Sequence, residues 1–397
     1  MFSRNLAFFT FSKILSNRSK EFLSLAKRSR FTGNNKSVGK RRVKLLAATV
    51  PLCSFGAGAG YYYYKNHKNR DDDFIPKILD HTFLDVKPNV PVTRTIKGIR
   101  DDFNLKLTLF QYPTCPFCCK VRAFLDYYGL PYEVIEVDPV LRQQTSWTTY
   151  KKVPILLAKV DGGYQQLNDS SMIISALKTY LYHQDLNLEE ILTYYPIVEF
   201  KDNKGDVQAD IFNKYFLMYQ ENVPKDKPSK VVKEEKQWRE WADNELVHTL
   251  SPNVYRTRDE ALQAFNWFSE VGEWKKIFPA WENFLIVHVG AFVMWMVGDR
   301  LKKRHRLKDD VRESLYDSCR KWMKLLDEKK TIFLGGNTPN LADLAVYGVL
   351  SSIEGCLAFN DLLSNTKIGK WYYPMKEAVN NHVGKTEFLT GSYRKAT

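Results

Sequence analysis

One stretch, Leu105 to Tyr128, constrains the fold of this chain more than any other. Leucines alternate with polar residues in its first part, which predicts a strand, and apolar residues then recur at helical spacing from Phe117 onward. The turn between them reads Y-P-T-C-P-F-C, so that its first cysteine, Cys115, falls at the N-terminus of a helix. Unpaired backbone N–H groups and the helix dipole favour a thiolate there. The sequence therefore predicts chemistry at the Cys115 sulfur.

The C-x-x-C pair of Cys115 and Cys118 is also the spacing of half a zinc site. Structural zinc usually needs a second Cys/His pair, often about 12 to 20 residues further on. The remaining cysteines form no such pair. A C-x-x-C beside a βαβ pattern instead indicates a thioredoxin-type thiol site. The adjoining Cys119 is placed on the helix side, with no role in the chemistry.

The positive charge of the chain is concentrated at its N-terminus. The formal net charge is +14, but residues 1–70 hold fifteen Lys/Arg against one acidic residue, Glu21. The rest of the chain has equal numbers of basic and acidic residues. A broad phosphate-binding face is therefore not expected, and nucleic acid is excluded as a partner.

The N-terminal segment has the composition of a targeting sequence. Residues 1–44 alternate Arg and Lys with Phe and Leu, are rich in Ser and are almost free of acids, which is typical of a mitochondrial presequence. Residues 45–64 carry no charge, are long enough to span a bilayer and end in four tyrosines. We interpret them as a single-pass anchor, with a flexible linker or cleavage region as the alternative. Residues 65–104 are expected to be a linker.

The residues after the first helix predict a compact α/β domain. YEVIEV is a second strand, Pro139 to Tyr150 a short helix, and KKVPILL a third strand. A hairpin turn at D-G-G and a fourth strand follow, and Asp169 to Tyr182 closes the unit as a helix. The order β-α-β-α-β-β-α is the thioredoxin or glutaredoxin arrangement.

Two further positions in this domain predict a peptide-binding cleft. In thioredoxin-like folds the proline that enters the third strand, here Pro154, is cis and turns the backbone of Val153 toward the active-site sulfur; a trans proline at a strand start is the alternative. Asp169 and Ser170 begin the last helix, where a capping role is expected. The same helix N-terminus suits the γ-glutamyl end of glutathione, because N–H groups bind its carboxylate and Asp169 its ammonium.

Five segments together resemble one known family. They are QYPTCPFCCKVRAFLDYYGLPYEVIEVDP, KKVPILL, QLNDSSMIISALKTYL, RLKKRHRL and NLADLAVYGVL. The chain resembles the membrane-associated prostaglandin E synthases, a glutaredoxin-headed family related to the glutathione transferases, over roughly Leu105 to Lys385. The resemblance implies isomerisation of prostaglandin H2 to prostaglandin E2. It also implies binding of glutathione together with haem, with the glutathione sulfur as iron ligand.

Site residues follow from the motif and from the resemblance. Cys115 is the expected nucleophile, Tyr112 is expected to hydrogen-bond its sulfur, and Cys118 is a resolving cysteine or a spectator. Phe117 is expected to pack beside the sulfur, in a pocket whose apolar walls accept the fatty-acyl arms. By resemblance, glutathione is held by Val153, Pro154, Asp169 and Ser170, and the substrate carboxylate by Arg300, Arg304 and Arg306. A solvated basic face at a helix end is the alternative for these arginines.

The C-terminal half is expected to be all-α. Apolar stripes at helical spacing run from Trp238 to Leu246 and from Val311 to Leu326. Phe284 to Gly298 is predicted to be a buried helix, with His288 as a core or interface histidine rather than a haem ligand. Asn340 and Asp343 predict a capping box that starts another helix, with a structural role.

The prediction is an α/β thioredoxin/glutaredoxin-like N-terminal domain followed by an all-α glutathione-transferase-like C-terminal domain. The predicted segments are a targeting sequence (1–44), an anchor (45–64), a linker (65–104), a glutaredoxin-like domain (105–183), a connecting excursion (184–234), an all-α domain (235–385) and a tail (386–397). The alternatives to the isomerase are a glutathione-linked thiol-disulfide oxidoreductase and a haem–glutathione binding protein. The composition favours a mitochondrial, membrane-anchored protein. The resemblance adds the Golgi membrane, a soluble form after cleavage, and a homodimer.

Overall fold

A mixed β-sheet forms the N-terminal part of the fold. The computed structural model describes residues 76–99, 105–183, 186–202, 205–218 and 229–387. Their strands are β1 (Ile78–Leu79), β2 (Phe83–Leu84), β3 (Arg94–Ile96), β4 (Leu107–Gln111), β5 (Tyr132–Glu136), β6 (Ile155–Val160), β7 (Gly163–Asn168), β8 (Ile197–Lys201) and β9 (Val207–Ile211). Six of them form one sheet in the order β2-β7-β6-β4-β5-β3, in which only β4 and β5 run parallel. The predicted targeting sequence and anchor lie outside the described residues.

Helices cover one side of this sheet and form the C-terminal part. They are α1 (Pro116–Tyr127), α2 (Ser170–Tyr182), α3 (Leu188–Leu192), α4 (Ser229–Trp241), α5 (Val247–Val254), α6 (Arg258–Val271), α7 (Trp274–Ile277), α8 (Ala280–Arg304), α9 (Val311–Lys329), α10 (Leu341–Ser351), α11 (Leu357–Asn365) and α12 (Gly369–Asn380). A π-helical turn, Ala242–Leu246, joins α4 to α5. The predicted class is therefore confirmed: a thioredoxin-like α/β domain followed by an all-α domain.

The predicted linker takes part in the sheet. Its described residues, 76–99, supply β2 and β3, which pair with β7 and β5 at opposite edges of the six-stranded sheet. Each strand has only two or three residues, which is too short to show a period of two in the sequence. The first domain therefore begins earlier in the chain than Asn104, where the sequence analysis expected it.

The segment between β5 and β6 differs from the predicted short helix. Only Gln143–Thr145 is helical, as a single 3₁₀ turn, and Arg142 before it has a left-handed backbone with φ of 55°. The carboxylate of Asp138 accepts the N–H groups of Val140 and Leu141, so this side chain replaces the backbone acceptors that a helix would use. The chain between β5 and β6 is therefore an irregular loop.

The connecting excursion contains more order than its composition indicates. Asn187 caps the short helix α3, and β8 and β9 form an antiparallel hairpin. Strand β1 pairs with β8, so that these three strands make a second, small sheet in the order β1-β8-β9. The excursion is therefore anchored to residues that precede the first domain.

The two predicted helical stripes are buried in the C-terminal domain. Trp322 is completely buried, and its ring lies against those of Trp238, Trp241 and Trp371. The capping box at Asn340 is also present: its side chain accepts the N–H of Asp343, whose carboxylate accepts the N–H of Asn340. Helix α10, which it starts, packs directly on α1. This contact joins the α/β domain to the helical domain.

Helix α8 is not the buried helix that was predicted. It is helical over the whole of Phe284 to Gly298, but Trp281, Phe284, Phe292 and Met296 are exposed along one face. His288 is exposed as well, with its ring 4.4 Å from that of Phe284, so it is not a core histidine, and the interface alternative stays a prediction. Within the described residues, α8 is also the one helix with the length and apolar composition of a membrane span.

Candidate active site

Cys115 lies between the end of β4 and the first turn of α1. It is the N-cap residue of α1, and Pro116, whose fixed φ suits a helix start, follows it. The Cys115 N–H donates to the carbonyl of Tyr112 at 3.2 Å, and its own carbonyl accepts the N–H of Cys119 at 2.8 Å. Its sulfur makes no full capping hydrogen bond, although the N–H groups of Phe117 and Cys118 lie close enough to stabilise a thiolate. The backbone is therefore fixed by local hydrogen bonds, and the sulfur is left for chemistry.

The Cys115 thiol is the acidic member of the C-x-x-C pair. Its pKa is lowered to about 7, chiefly because the Cys118 thiol hydrogen-bonds its sulfur; burial opposes this, and the N–H groups of Cys118 and Phe117 add to it. Burial raises the pKa of Cys118 well above its usual value, and the neighbouring Cys115 raises it further. Cys115 is half-buried, whereas Cys118 is fully enclosed. The pair thus combines an approachable thiolate with a protonated neighbour.

Cys119 lies on α1, as predicted, and is almost completely buried. Its thiol donates to the carbonyl of Pro113, its sulfur accepts from Arg122, and burial raises its pKa. It borders a cavity of about 440 Å³ between α1 and the helical domain, which also reaches Thr114 in the turn before Cys115. This cavity therefore lies beside the C-x-x-C turn, on the side of Cys119.

Tyr112 and Phe117 are close to Cys115 along the chain, three residues before it and two residues after it. Tyr112 is half-buried, and burial raises the pKa of its hydroxyl to about 12, against the effect of the Arg142 guanidinium 6.0 Å from its ring centre. No hydrogen bond joins the Tyr112 hydroxyl to Cys115 in the described parts of the chain. Phe117 is half-buried, with Lys120 Nζ 5.4 Å from its ring centre.

The Val153–Pro154 peptide bond is cis, which confirms the prediction. The Val153 side chain packs on the same side of the sheet as Tyr112 and Tyr150. Neither the N–H nor the carbonyl of Val153 has a hydrogen-bond partner among the described residues. This backbone is therefore available to pair with an extended ligand.

The N-terminus of α2 brings the other predicted ligand residues together. Asp169 is the N-cap, with a left-handed φ of 67°, and its Oδ1 accepts the N–H groups of Ser171 and Met172. Its Oδ2 lies 3.4 Å from Lys214 Nζ. In the described residues, the N–H and hydroxyl of Ser170 have no hydrogen-bond partner. Capping therefore uses one carboxylate oxygen of Asp169. The N–H and hydroxyl of Ser170 remain as donors beside the other oxygen.

A buried polar network connects α1, α2 and the π-helical turn. Lys120, which is completely buried, donates to both Ser171 Oγ and Asp243. Ser171 and Tyr215 also donate to the Asp243 carboxylate. Burial alone would raise the pKa of Asp243, but Lys120 and these hydroxyl donors lower it below its usual value. The Asp243 carboxylate of the helical domain thus holds the N-terminus of α2, together with Arg239, which donates to the carbonyl of Ser171.

The basic run lies at the end of α8. Arg300 and Arg304 are in its last turns, Arg306 follows in a left-handed conformation, and all three are exposed. The rings of His305 and His248 stack with centres 4.1 Å apart, and burial and the charge of Arg304 lower the pKa of His248. No ion pair or hydrogen bond joins the three arginines to Cys115 in the described residues.

Several residues at this site were not predicted from the sequence. The hydroxyl of Tyr150 lies near Asp169 and both active-site sulfurs, and burial is the main cause that raises its pKa. The Nε and Nη2 atoms of Arg142 are buried without a partner among the described residues. The one signal visible in the sequence was Lys120, which lies on the apolar face of α1. A buried lysine requires an acidic partner. The sequence did not indicate where that partner lies.

Comparison with known proteins identifies close relatives. The profile described as the N-terminal domain of glutathione S-transferase matches residues 109–180. A protein of Danio rerio named prostaglandin E synthase 2 is 48% identical over 282 residues, which are 70% of this chain and 73% of that protein. The Mus musculus protein of the same name is 48% identical over 278 residues, 70% and 71% of the two chains. Among solved structures, glutathione transferase F7 from Populus trichocarpa is 15% identical, with a TM-score of 0.39, and covers 70% of this chain and 99% of its own.

Proposed function

The chain belongs to the prostaglandin E synthase 2 family, and from this premise we propose that it isomerises prostaglandin H2 to prostaglandin E2 with Cys115 as the nucleophile. The observation that carries the proposal is the state of this thiol. Cys115 is half-buried at a helix start and has a pKa of about 7, so much of it is thiolate at neutral pH. A nucleophile in this state is what opening of a weak O–O bond requires.

The reaction balances without an external oxidant or reductant. The thiolate of Cys115 forms an S–O bond with the oxygen on C9 of the endoperoxide, the O–O bond breaks, and the oxygen on C11 takes up a proton. Loss of the C9 proton then forms the C9 ketone and breaks the S–O bond, which returns the thiolate. One proton is gained and one is lost. The sulfur is regenerated, so the reaction is an isomerisation.

The neighbours of Cys115 have distinct roles in this proposal. Tyr112 would hydrogen-bond the sulfur or the developing alkoxide once substrate is bound, since burial keeps its hydroxyl protonated. Phe117 would form part of the apolar wall. Arg300, Arg304 and Arg306 would bind the substrate carboxylate. Of the three, Arg304 lies near His248 in α5, where its charge helps to lower the pKa of the imidazole.

Glutathione fits the N-terminus of α2 and the backbone of Val153. The unpartnered N–H and carbonyl of Val153, beside Pro154, would pair with the cysteinyl residue of the peptide. The N–H and hydroxyl of Ser170 would bind the γ-glutamyl carboxylate, and Asp169 its ammonium. Bound there, glutathione would hold its thiol near Cys115.

Haem would enter this site through glutathione. The exposed Arg300 and Arg304 suit its propionates. When bound, haem would supply breakdown of the endoperoxide in place of isomerisation, in line with the family resemblance. The isomerisation proposed above uses only the residues of the chain.

We also propose membrane association through residues 45–64, with mitochondrial targeting by residues 1–44. By resemblance, Golgi membranes are the alternative location. The resemblance also adds a soluble form after N-terminal cleavage and a homodimer. A protein on a membrane would meet its lipid substrate there. Fractionation of cells that express the full chain, with and without residues 45–64, tests this part.

A glutathione-linked thiol-disulfide oxidoreductase is the second candidate function. It is favoured by the interaction between the Cys115 and Cys118 sulfurs, which is the pairing that a dithiol cycle needs. In that reaction Cys115 would form a mixed disulfide with the substrate and Cys118 would resolve it.

Turnover of prostaglandin H2 separates the candidates. The haem-free full chain with added thiol should form prostaglandin E2 above the spontaneous rate, and Cys115→Ser should return it to that rate. Cys118→Ser should keep isomerase activity, because serine retains a hydroxyl donor toward the Cys115 sulfur, but should lose dithiol-dependent reduction of a small disulfide. Background product from the wild type would overturn the isomerase proposal, and loss of isomerase activity in Cys118→Ser would overturn the single-sulfur mechanism.

A further inference from the structure

Lys214, to which the sequence assigned no role, lies beside the N-terminus of α2. Its Nζ is 3.4 Å from Asp169 Oδ2 and 2.8 Å from Asp210 Oδ1. The side chains of Lys214 and Asp169 are 20% and 30% exposed, so the pair is partly enclosed but can be reached from solvent. Lys214 belongs to the connecting excursion, which the sequence presents as a polar segment without a motif. Its position must therefore be explained by the tertiary structure.

The backbone around Lys214 is held by buried groups. Ser175 Oγ on α2 donates to the Lys214 carbonyl at 2.7 Å. Arg239 on α4 donates to the carbonyl of Tyr215 at 3.0 Å, and the Tyr215 hydroxyl donates to Asp243 at 3.0 Å. Ser175 is completely buried, and Arg239 is 1% exposed. These contacts fix the start of the Lys214 side chain next to Asp169, unlike that of an ordinary surface lysine.

The charges at this helix end match those of a free α-amino acid group. Oδ1 of Asp169 is used by the helix cap, and Oδ2 faces Lys214. Ser170 adds an N–H and a hydroxyl that have no partner in the parts of the chain described. One carboxylate oxygen, one ammonium and two neutral donors thus lie at the N-terminus of α2. An α-amino acid end carries an ammonium and a carboxylate on one carbon, and each needs an opposite partner.

We infer that Lys214 binds the α-carboxylate of the γ-glutamyl residue of glutathione while Asp169 binds its ammonium. This inference rests on the proposed glutathione site and adds a residue to it. On binding, the ligand ammonium replaces Lys214 at Asp169 Oδ2. Lys214, still paired with Asp210, turns its remaining N–H groups to the ligand carboxylate. One ion pair is exchanged for two, and the charges at the helix end stay balanced.

Binding of three peptides to the full chain tests this arrangement. Calorimetry would compare glutathione with glutaryl-cysteinylglycine, which lacks the ammonium, and with 4-aminobutyryl-cysteinylglycine, which lacks the α-carboxylate. Lys214→Met should weaken the binding of glutathione and of the glutaryl peptide by about ten- to a hundredfold, the range for a hydrogen bond to a charged group. It should leave the 4-aminobutyryl peptide at wild-type affinity or strengthen it, since Asp169 loses a competing cation. Lys214→Arg is the matched control and should keep most of the affinity for glutathione.

Two results would overturn the inference. If Lys214 only neutralises Asp169, Lys214→Met would strengthen the binding of glutathione as well as that of the 4-aminobutyryl peptide. Equal affinity of wild type and Lys214→Met for all three peptides would show that the lysine makes no ligand contact, while the glutathione site itself stood. If the wild type binds none of the peptides, the proposed glutathione site is wrong as a whole. The turnover of prostaglandin H2 would remain an independent test of the isomerase. Far-ultraviolet circular dichroism and the Tm of each variant establish that it is folded.

Discussion

Lys120 on α1 and Asp243 in the π-helical turn form an ion pair between the two domains, and the lysine side chain is completely buried. The two residues are 123 positions apart in the chain. Asp243 also accepts hydrogen bonds from Ser171 at the start of α2 and from Tyr215. The pair therefore links the helix that follows the reactive cysteine to the helix that begins the proposed glutathione site.

Removal of the lysine from this pair should destabilise the whole fold. In Lys120→Met the carboxylate of Asp243 stays buried without its cation, and loss of one partner of a buried pair costs about 3–5 kcal/mol. The double variant Lys120→Met/Asp243→Leu removes both charges and should recover most of this loss. Urea unfolding followed by tryptophan fluorescence measures both. A double variant no more stable than the single one would show that packing, not charge, dominates at this position.

The reactivity of Cys115 should follow an ionisation near pH 7. Its pKa is lowered to about 7 from an ordinary value near 9.0, with the Cys118 thiol as the largest cause. The rate of alkylation by iodoacetamide should therefore rise through pH 7, because the thiolate forms as pH increases. Cys118→Ala removes the main stabilising donor, so its midpoint should move upward, while Cys119→Ala should leave it near 7. A Cys118→Ala profile that coincides with the wild type would assign the low pKa to the helix end alone.

The capping box of α10 should contribute strongly to stability. The carboxylate of Asp343 accepts N–H groups from Leu334, Gly335 and Asn340 and from the indole of Trp371. Asp343→Ala leaves these donors unpaired, and each buried unpaired donor costs about 1–3 kcal/mol. A total loss of at least about 3 kcal/mol is expected from urea unfolding, since some donors will be hydrated. Asn340→Ala, which removes an ordinary N-cap, should cost about 1 kcal/mol. Similar losses in the two variants would argue against the larger role of Asp343.

Gly348 on α10 should not tolerate alanine. A Cβ at this position would lie 2.5 Å from the Cα and 2.6 Å from the backbone nitrogen of Lys120, so that α1 and α10 would have to separate. Overpacking of this kind costs about 1–3 kcal/mol. Gly290→Ala on α8 is the matched control, because the nearest atom there, 2.7 Å away, belongs to the side-chain ring of Phe265 and not to a backbone. Both changes gain about the same helix propensity, up to 1 kcal/mol. If Gly348→Ala proves as stable as Gly290→Ala, the helices are not in the close contact described.

The local elements of the active site could be predicted because their signals lie within a few residues. The change from a period of two to helical spacing placed Cys115 at the start of α1, and the sequence D-G-G placed the hairpin between β6 and β7. The N-cap at Asp169 and the capping box at Asn340 were equally local, because a cap joins side chains and N–H groups two or three residues apart.

Predictions failed where the outcome depended on distant neighbours. Strands β2 and β3 exist because the edges of the sheet offer unpaired N–H and carbonyl groups to any nearby extended chain. The apolar composition of α8 indicated burial, yet Phe284 and Phe292 are exposed, because composition sets the hydrophobicity of a helix but not which faces meet a neighbour. The sequence thus predicted the element and not its surroundings.

The sequence by itself determined the strand-turn-helix unit, the position of Cys115 in it, the caps and the class of each domain. The tertiary structure alone decided which side chains meet across the domains: Asp243 with Lys120, and Lys214 with Asp169. The physical reason is the range of the interactions. Backbone conformation and capping depend on neighbours along the chain, whereas the partner of a buried or shared charge is fixed only when separate elements pack and exclude water.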